Sequence, residues 1–411
     1  MKKYNRSISW LLIFMMAFTF MLPITSSAYA SSFTDMLQSA ITANSTTPKE
    51  APSGNGLVDM LLGIMGNFFG DILTLPQDIQ KKIKFPSGIN TSSPKELIGF
   101  YAEWWATDTA SFNSLYKNTD VIKTIAPFWA TLEEDGTLTD RGGNDHESVI
   151  DFAHKNNVSV LLLVNNAKQQ DSQSSIHKIL ATPSLREKAI DSLESYIKKY
   201  KLDGINVDFE MVDAQDRENL STFMQELSAR LKPQGYIISI DVFPKQDESN
   251  DVSIAYDYAQ LAKYADKIIL MTYDNHGTWS DAGPIADIDW VEKNLKYALK
   301  FIPKNKLYIG LAAYGYDWSS KGVESLEHKA ITKLMQDFNR SAIWDTSSKS
   351  PHFDYTDSNG IKHQVWFENS ESLKYKIDLV TKYDIAGAAM WKLGEEDPNT
   401  WNVLRNAFSK K

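Results

Sequence analysis

From Glu96 onward, short β-branched segments alternate with amphipathic segments, and this alternation limits the possible folds more than any other feature of the sequence. The pattern is typical of a parallel α/β fold. Helical periodicity occurs at 185–199, 217–231 and 290–299. Eight strand–helix units in about 300 residues predict a (β/α)8 TIM barrel rather than an open sheet. The predicted strands lie at 97–101, 121–128, 158–164, 204–209, 236–241, 267–272, 307–312 and 385–390.

The gap between the seventh and eighth predicted strands is too long for a single helix. We therefore expect an α+β insertion between strands 7 and 8, at about 317–380. Its predicted strands are 344–355 and 363–367, on either side of the turn sequence Asp357-Ser358-Asn359-Gly360. The barrel and its insertion together account for residues 96–411.

The first thirty residues have the form of a secretory signal. Basic residues precede an apolar run from Ile8 to Leu22, and Ala28-Tyr29-Ala30 forms a small-x-small cleavage site. We expect cleavage before Ser31 and a secreted or cell-wall associated protein with no stable membrane span. The alternative is an uncleaved anchor, because the apolar run approaches the length that spans a bilayer.

Residues 31–95 differ in composition from the predicted barrel. They are rich in Ser, Thr, Gly and Pro at 42–56 and 86–95, which is typical of linkers. Between the linkers, residues 57–73 predict a short apolar helix that either docks on a neighbour or lies on a membrane surface.

Composition excludes several kinds of chemistry. The chain has no cysteine, which removes disulfides, thiol nucleophiles and cysteine-based zinc sites, and its seven histidines show no metal-ligand spacing. We expect neither a metal nor a cofactor. The net charge of -9 argues against a nucleic-acid partner. The eleven Trp and eighteen Tyr provide flat faces that either bind sugar rings or pack in the core, and oligomeric state is not indicated.

Along the fourth predicted strand and at the position directly after it, Asn206, Asp208 and Glu210 occupy alternate positions and therefore share one face. Two carboxylates about 7 Å apart repel by roughly 2 kcal/mol at an effective dielectric near 20, which raises the pKa of one of them by about 1 to 2. A carboxyl that keeps its proton beside an anion meets the requirement for a general acid. The alternative is a strand end whose acids are simply solvated.

Further polar and aromatic residues follow other predicted strands, at the end of the barrel where active sites lie. Any one of these residues could have a structural role, but chance does not readily explain why all of them lie at the same end of the predicted barrel. They are Tyr101 and Trp104 after the first strand, Tyr273 and Asp274 after the sixth, Tyr314 after the seventh and Trp391 after the eighth.

These motifs resemble the family 18 glycoside hydrolases, which include chitinases and N-acetylglucosaminidases. Residues 203–210 match the family's fourth-strand motif DGxDxDxE except at Asn206, and Met271-Thr272-Tyr273-Asp274 matches its sixth-strand motif. Trp391 corresponds to the tryptophan below the sugar site. Gly99-Phe100-Tyr101 and residues 310–315 resemble the first and seventh strands.

The resemblance implies a retaining mechanism in which the acetamido group of the substrate is the nucleophile. Glu210 would be the general acid and base, Asp208 would stabilise the oxazolinium-like intermediate, and Tyr273 would hydrogen-bond the acetamido oxygen. The implied substrate-binding residues are Tyr101, Asn206, Asp274, Tyr314 and Trp391. Only N-acetylated polysaccharides such as peptidoglycan or chitin supply the internal nucleophile.

The sequence is most similar to a bacterial branch of the family that cuts peptidoglycan, including spore cortex-lytic enzymes. Residues 314–318, 350–355 and 365–368 carry this likeness, although residues 31–95 show no repeated wall-binding module. We therefore expect a secreted hydrolase of peptidoglycan. A chitinase and a sugar-binding relative without catalysis are the alternatives.

Two departures from the family pattern affect the expected site. Because Asn206 replaces a carboxylate, we expect Asp208 to be the only anion near Glu210. Many relatives carry a Ser-x-Gly-Gly turn after the third strand, where this chain has Val164-Asn165-Asn166. Substrate contacts from that loop therefore cannot be carried over.

Overall fold

The computed structural model describes residues 94–143, 145–166, 172–249 and 252–408, and of residues 172–175 the backbone alone. The predicted signal at 1–30, and the linkers and apolar helix of the following segment up to residue 93, lie outside the described residues. Within the described ranges, no helix is both long and apolar enough to cross a membrane.

In the described part of the chain, fourteen strands form two sheets. In chain order they are β1 Glu96–Tyr101, β2 Ile122–Leu132, β3 Leu138–Asp140, β4 Ser159–Asn165, β5 Gly204–Asp208, β6 Ile237–Val242, β7 Lys267–Leu270, β8 Leu307–Ala312, β9 Tyr314–Ser319, β10 Gly322–Glu327, β11 Ile343–Asp345, β12 Ser350–Thr356, β13 Lys362–Phe367 and β14 Gly387–Trp391.

Helices alternate with these strands. They are α1 Ala110–Lys117, α2 His146–Lys155, α3 Ser172–Ala181, α4 Pro183–Tyr200, α5 Arg217–Leu231, α6 Tyr258–Tyr264, α7 Ile288–Ala298, α8 His328–Asp337, α9 Ser370–Tyr383 and α10 Thr400–Phe408.

Eight parallel strands close into a barrel. They follow the order β1-β2-β4-β5-β6-β7-β8-β14, and β14 pairs with β1 to complete the circle, while β3 adds an antiparallel edge to β2. This arrangement confirms the predicted (β/α)8 barrel. Its C-terminal strand ends all open on the same face, where β5 presents the predicted acid motif.

Strand alternation divides the core into two layers. In β5, Ile205 and Val207 point outward into the large core between strands and helices, so Asn206 and Asp208 point into the barrel. β6 follows the same rule, with Ile238 and Ile240 in the outer core. The inner core is small and apolar at its base, and it is formed by Ile98, Phe100, Ala126, Leu163, Ile269, Tyr308 and Ala389.

The α+β insertion between the seventh and eighth barrel strands is also confirmed. Its antiparallel sheet has the order β10-β9-β13-β12-β11, and α8 covers one face through Ile331, Leu334 and Met335. The sheet begins at Tyr314, with a single residue between it and the end of β8, and finishes at Phe367.

These bounds differ from the predicted 317–380 at both ends. Helix α9 packs against β8 and β14 and is therefore the barrel helix of the eighth unit rather than part of the insertion. It begins at a capping box, in which Asn369 and Ser372 exchange side-chain to backbone hydrogen bonds. Between the sheet and α9, the buried carboxylate of Glu368 pairs with the buried Lys376 at 2.9 Å.

Candidate active site

A cavity of about 560 Å³ opens at the C-terminal ends of the barrel strands. Six of the predicted site residues line it, namely Asp208, Glu210, Tyr273, Asp274, Tyr314 and Trp391. The fold therefore brings Asp208 and Trp391, which are 183 positions apart in the chain, to the same cavity.

Glu210 follows the end of β5, and its side chain opens into the cavity. The buried Asn166, after β4, holds its backbone in both directions. The Glu210 N–H donates to Asn166 Oδ1 at 2.9 Å, and Asn166 Nδ2 donates to the Glu210 carbonyl at 2.9 Å. Asn166 was missed as a functional residue, although it lies in the loop that departs from the family pattern.

The pKa of Glu210 is raised, first by desolvation within the cleft and then by repulsion from Asp274. Both effects favour the neutral acid. A raised pKa is the property that a general acid needs, since the carboxyl then keeps its proton to higher pH.

A third carboxyl, Asp241 at the end of β6, lies beside Asp208. Asn206 Nδ2 donates to Asp241 Oδ2 at 2.6 Å, and Asp208 and Asp241 line the same cavity as neighbouring carboxyls. Burial raises the pKa of both, and the charge of Glu210 adds to the rise; the pKa of Asp241 reaches about 8. We expected Asp208 to be the only anion near Glu210, and the structure places a further carboxyl, Asp241, beside it.

Asn206 does not lie where its predicted role in substrate binding requires. Its side chain is fully buried beside Asp241 and does not line the cavity among the described residues. It therefore contacts another carboxyl of the protein, and the prediction that it binds substrate is corrected.

Tyr101 also lies away from the cavity. Its ring is buried in the outer core, edge-on to Trp129, and its hydroxyl donates to Glu103 Oε1 at 2.8 Å. Alternation in β1 turns the preceding residue, Phe100, inward instead, where it lines the cavity. The predicted position of Tyr101 in the site is thus corrected, because Phe100 and not Tyr101 lines the cavity.

Three tyrosines surround Asp274. The hydroxyls of Tyr314 and Tyr316 donate to Asp274 Oδ1 at 2.5 and 3.0 Å, while Asp274 adopts a left-handed backbone conformation with φ of 56°. Burial raises the pKa of Asp274, and these two hydrogen bonds oppose the rise. Tyr273 packs against Gly310, where a Cβ would lie 2.6 Å from its ring.

Aromatic rings line one side of the cavity. Trp391 meets the edges of Phe100 and Phe128, with ring centroids 5.4 and 6.5 Å apart, and the peptide bond after Trp391 is cis. Trp104 and Trp105 also line the cavity and are largely exposed. Such faces suit the apolar surface of a sugar ring.

A second cavity of about 730 Å³ lies on the other side of Glu210. The two cavities share Glu210, Tyr273 and Asp274, so the acid stands between them. The second cavity is also lined by exposed apolar residues, of which Trp279 is 67% exposed.

A scan against family models matches residues 96–396 to "Glycosyl hydrolases family 18". The chain belongs to glycoside hydrolase family 18. The resemblance found in the sequence is thereby confirmed, and the protein is a glycosidase that hydrolyses glycans. Metal ligands are not grouped in the described part of the chain, where no cluster of three or more His, Asp or Glu could hold an ion.

Several relatives carry more specific names. The "Uncharacterized glycosylase YvbX" of Bacillus subtilis is 30% identical over 77% of this chain and 93% of its own length. The "Cortical fragment-lytic enzyme" of Bacillus anthracis is 28% identical over 69% of this chain and 68% of its own length.

Solved structures show the same relationship. The Bacillus cereus spore cortex-lytic enzyme SleL superposes with a TM-score of 0.72 at 26% identity, covering 79% of this chain and 77% of that one. A chitinase from Chromobacterium violaceum gives 0.71 at 27% identity, covering 77% of this chain and all of the chitinase. The family 18 enzyme is thus similar both to cortex-lytic enzymes and to chitinases.

Proposed function

We propose that this enzyme cleaves β-linked glycans that contain N-acetylglucosamine, and that peptidoglycan is its substrate. The proposal draws on the likeness to enzymes named for spore cortex lysis. Export by the predicted signal would bring the enzyme to a cell wall, so we place it outside the cell or in association with the wall.

We further propose a retaining, substrate-assisted mechanism. Its main support is the burial of Asp208, which is 8% exposed and lies beside Asp241 in the lining of the same cavity. A carboxyl that is buried and partly protonated is a poor nucleophile, because its negative charge is spread over the pair. The nucleophile then has to come from elsewhere, and an acetamido carbonyl on the substrate supplies it.

In this mechanism Glu210 donates its proton to the glycosidic oxygen as the acetamido oxygen attacks the anomeric carbon. Asp208 orients the acetamido N–H and stabilises the positive charge that develops, while the Tyr273 hydroxyl holds the acetamido oxygen. Glu210 then accepts a proton from the water that opens the intermediate. Trp391 supports the ring of the bound sugar, and Asp274 with Tyr314 supports the same sugar from the side.

The decisive test compares N-acetylated and N-deacetylated glycans. Full-length protein is incubated with purified peptidoglycan, with its chemically deacetylated form and with chitin oligomers, and new reducing ends are identified by mass. We expect cleavage of N-acetylated peptidoglycan, initial release of the β-anomer by NMR, and loss of both in Glu210→Gln. Equal cleavage of deacetylated strands would contradict the internal nucleophile.

Chitin is the second candidate substrate, because the C. violaceum chitinase is covered over its whole length at 27% identity. The same incubation separates the two. Cleavage of chitin oligomers without release of peptidoglycan fragments would replace the wall substrate by chitin and leave the mechanism unchanged.

A further inference from the structure

The inward faces of β5 and β6 carry polar side chains at matching heights. Asn206 pairs in register with Ser239, and both are completely buried. One step closer to the cavity, Asp208 on β5 and Asp241 on β6 occupy the next inward positions. A barrel interior at this depth ordinarily holds apolar side chains, so four polar groups here require a chemical reason.

Asp241 is the most deeply buried acid in the site, at 1% exposure, yet it lines the cavity. Its Oδ2 accepts from Asn206, while its Oδ1 has no hydrogen-bond partner among the described residues. Two carboxyls can hydrogen-bond each other only when one of them carries a proton. Because Asp208 and Asp241 occupy adjacent inward positions and line the same cavity, we expect the pair to hold one proton and one negative charge between them.

No cation compensates these carboxyls, since no Lys or Arg of the described chain lines this cavity. The titratable groups that face Asp241 are Asp208 and Glu210 from β5 and the loop after it, Tyr256 from the loop after β6, and Tyr273 after β7. The tyrosines are neutral, so a shared proton is what limits repulsion between the acids.

We propose that Asp241 is a positioning residue that shares a proton with Asp208 and, held by Asn206, replaces the carboxylate that the motif lacks at position 206. The inference rests on the proposed function. As positive charge develops on the sugar, the negative charge of the pair is drawn to Asp208, and the proton moves from the Asp208 carboxyl to the Asp241 carboxylate. Asp208 then faces the intermediate as an anion without a change in the net charge of the pair.

Exchange of the two side chains tests this role. Asp241→Asn keeps the shape but removes the carboxyl that shares the proton, and we expect kcat to fall at least tenfold with KM within twofold. Without Asp241 the proton stays on the buried Asp208, so the negative charge beside Glu210 is lost and we expect the alkaline limb of the kcat/KM profile, which reports ionisation of Glu210, to move to lower pH. The double variant Asn206→Asp/Asp241→Asn returns a carboxyl to the face that carries Asp208. We therefore expect it to recover most of kcat and to return the alkaline limb of the kcat/KM profile to its wild-type pH.

Two results overturn the proposal: wild-type kcat and pH profile in Asp241→Asn, or no recovery in the folded double variant. A readout without substrate separates this failure from failure of the proposed function. In protein labelled with ¹³C at the aspartate carboxyls, we expect one carboxyl that titrates near pH 8 and is lost in Asp241→Asn. If no aspartate of the wild type titrates above pH ~6, the shared proton is absent, whichever glycan is cleaved.

Discussion

Asn166 offers a direct test of how the barrel positions its acid. It makes two hydrogen bonds to the backbone of Glu210, both at 2.9 Å, and is 3% exposed. Each such bond contributes roughly 1 kcal/mol, so Asn166→Ala removes about 2 kcal/mol of positioning. Since 1.4 kcal/mol corresponds to tenfold in rate, we expect kcat to fall about 30-fold. KM should change little, because Asn166 does not line either cavity beside Glu210 among the described residues.

The matched control is Asn118→Ala, far from the cavity. Asn118 is equally buried and also bonds in two directions, donating to the Ser114 carbonyl and accepting from Arg405, both at 2.8 Å. Both variants should lose similar stability in urea, but only Asn166→Ala should lose kcat, measured by reducing-end release from peptidoglycan. If both variants keep kcat within twofold of wild type, the positioning argument is refuted.

Three further substitutions address other parts of the molecule. Gly310→Ala should lower kcat/KM at least tenfold, because its Cβ would lie 2.6 Å from the Tyr273 ring; an unchanged value would mean that the ring position is not required. Lys376→Met leaves Glu368 as an uncompensated buried charge and should cost about 3–5 kcal/mol in urea unfolding, part of which Glu368→Gln restores in the double variant. Trp279→Ala should raise KM for long glycan strands more than for disaccharides, and it should narrow the range of product lengths from long strands. Unchanged values would mean that sugars do not occupy the second cavity.

Strand periodicity explains which parts of the site the sequence could predict. In β5, apolar and polar residues alternate, so the inward direction of Asp208 followed from the pattern alone. β1 is apolar on both faces, and the pattern therefore did not distinguish the inward Phe100 from the outward Tyr101. Asp241 lies in a second alternating strand, Ile-Ser-Ile-Asp-Val, and the rule that identified Asp208 would also have identified it.

Other features depend on contacts that no local pattern encodes. Asn166 meets Glu210 across 44 residues of sequence, and nothing in the composition of its loop indicates that partner. The start of the insertion was misplaced for a similar reason, since the chain passes from β8 to β9 with a single residue between them. The end was misplaced because α9 has the same amphipathic character as a helix of an inserted domain, and only its packing on β8 and β14 assigns it to the barrel.

The insertion is structurally part of the active site rather than an addition beside it. Tyr314 and Tyr316 extend from β9 on the same face and donate to Asp274, which belongs to the barrel loop after β7. At the other end of the insertion, the Glu368 N–H donates to the Tyr314 carbonyl, and the Glu368 side chain pairs with Lys376 of the barrel helix α9. Direct contacts therefore link Asp274, through Tyr314 and Glu368, to an ion pair at the base of the inserted sheet. We therefore expect a change in that sheet to reach Asp274 and the cavity through two tyrosine hydroxyls, without movement of any residue of β5 or β6.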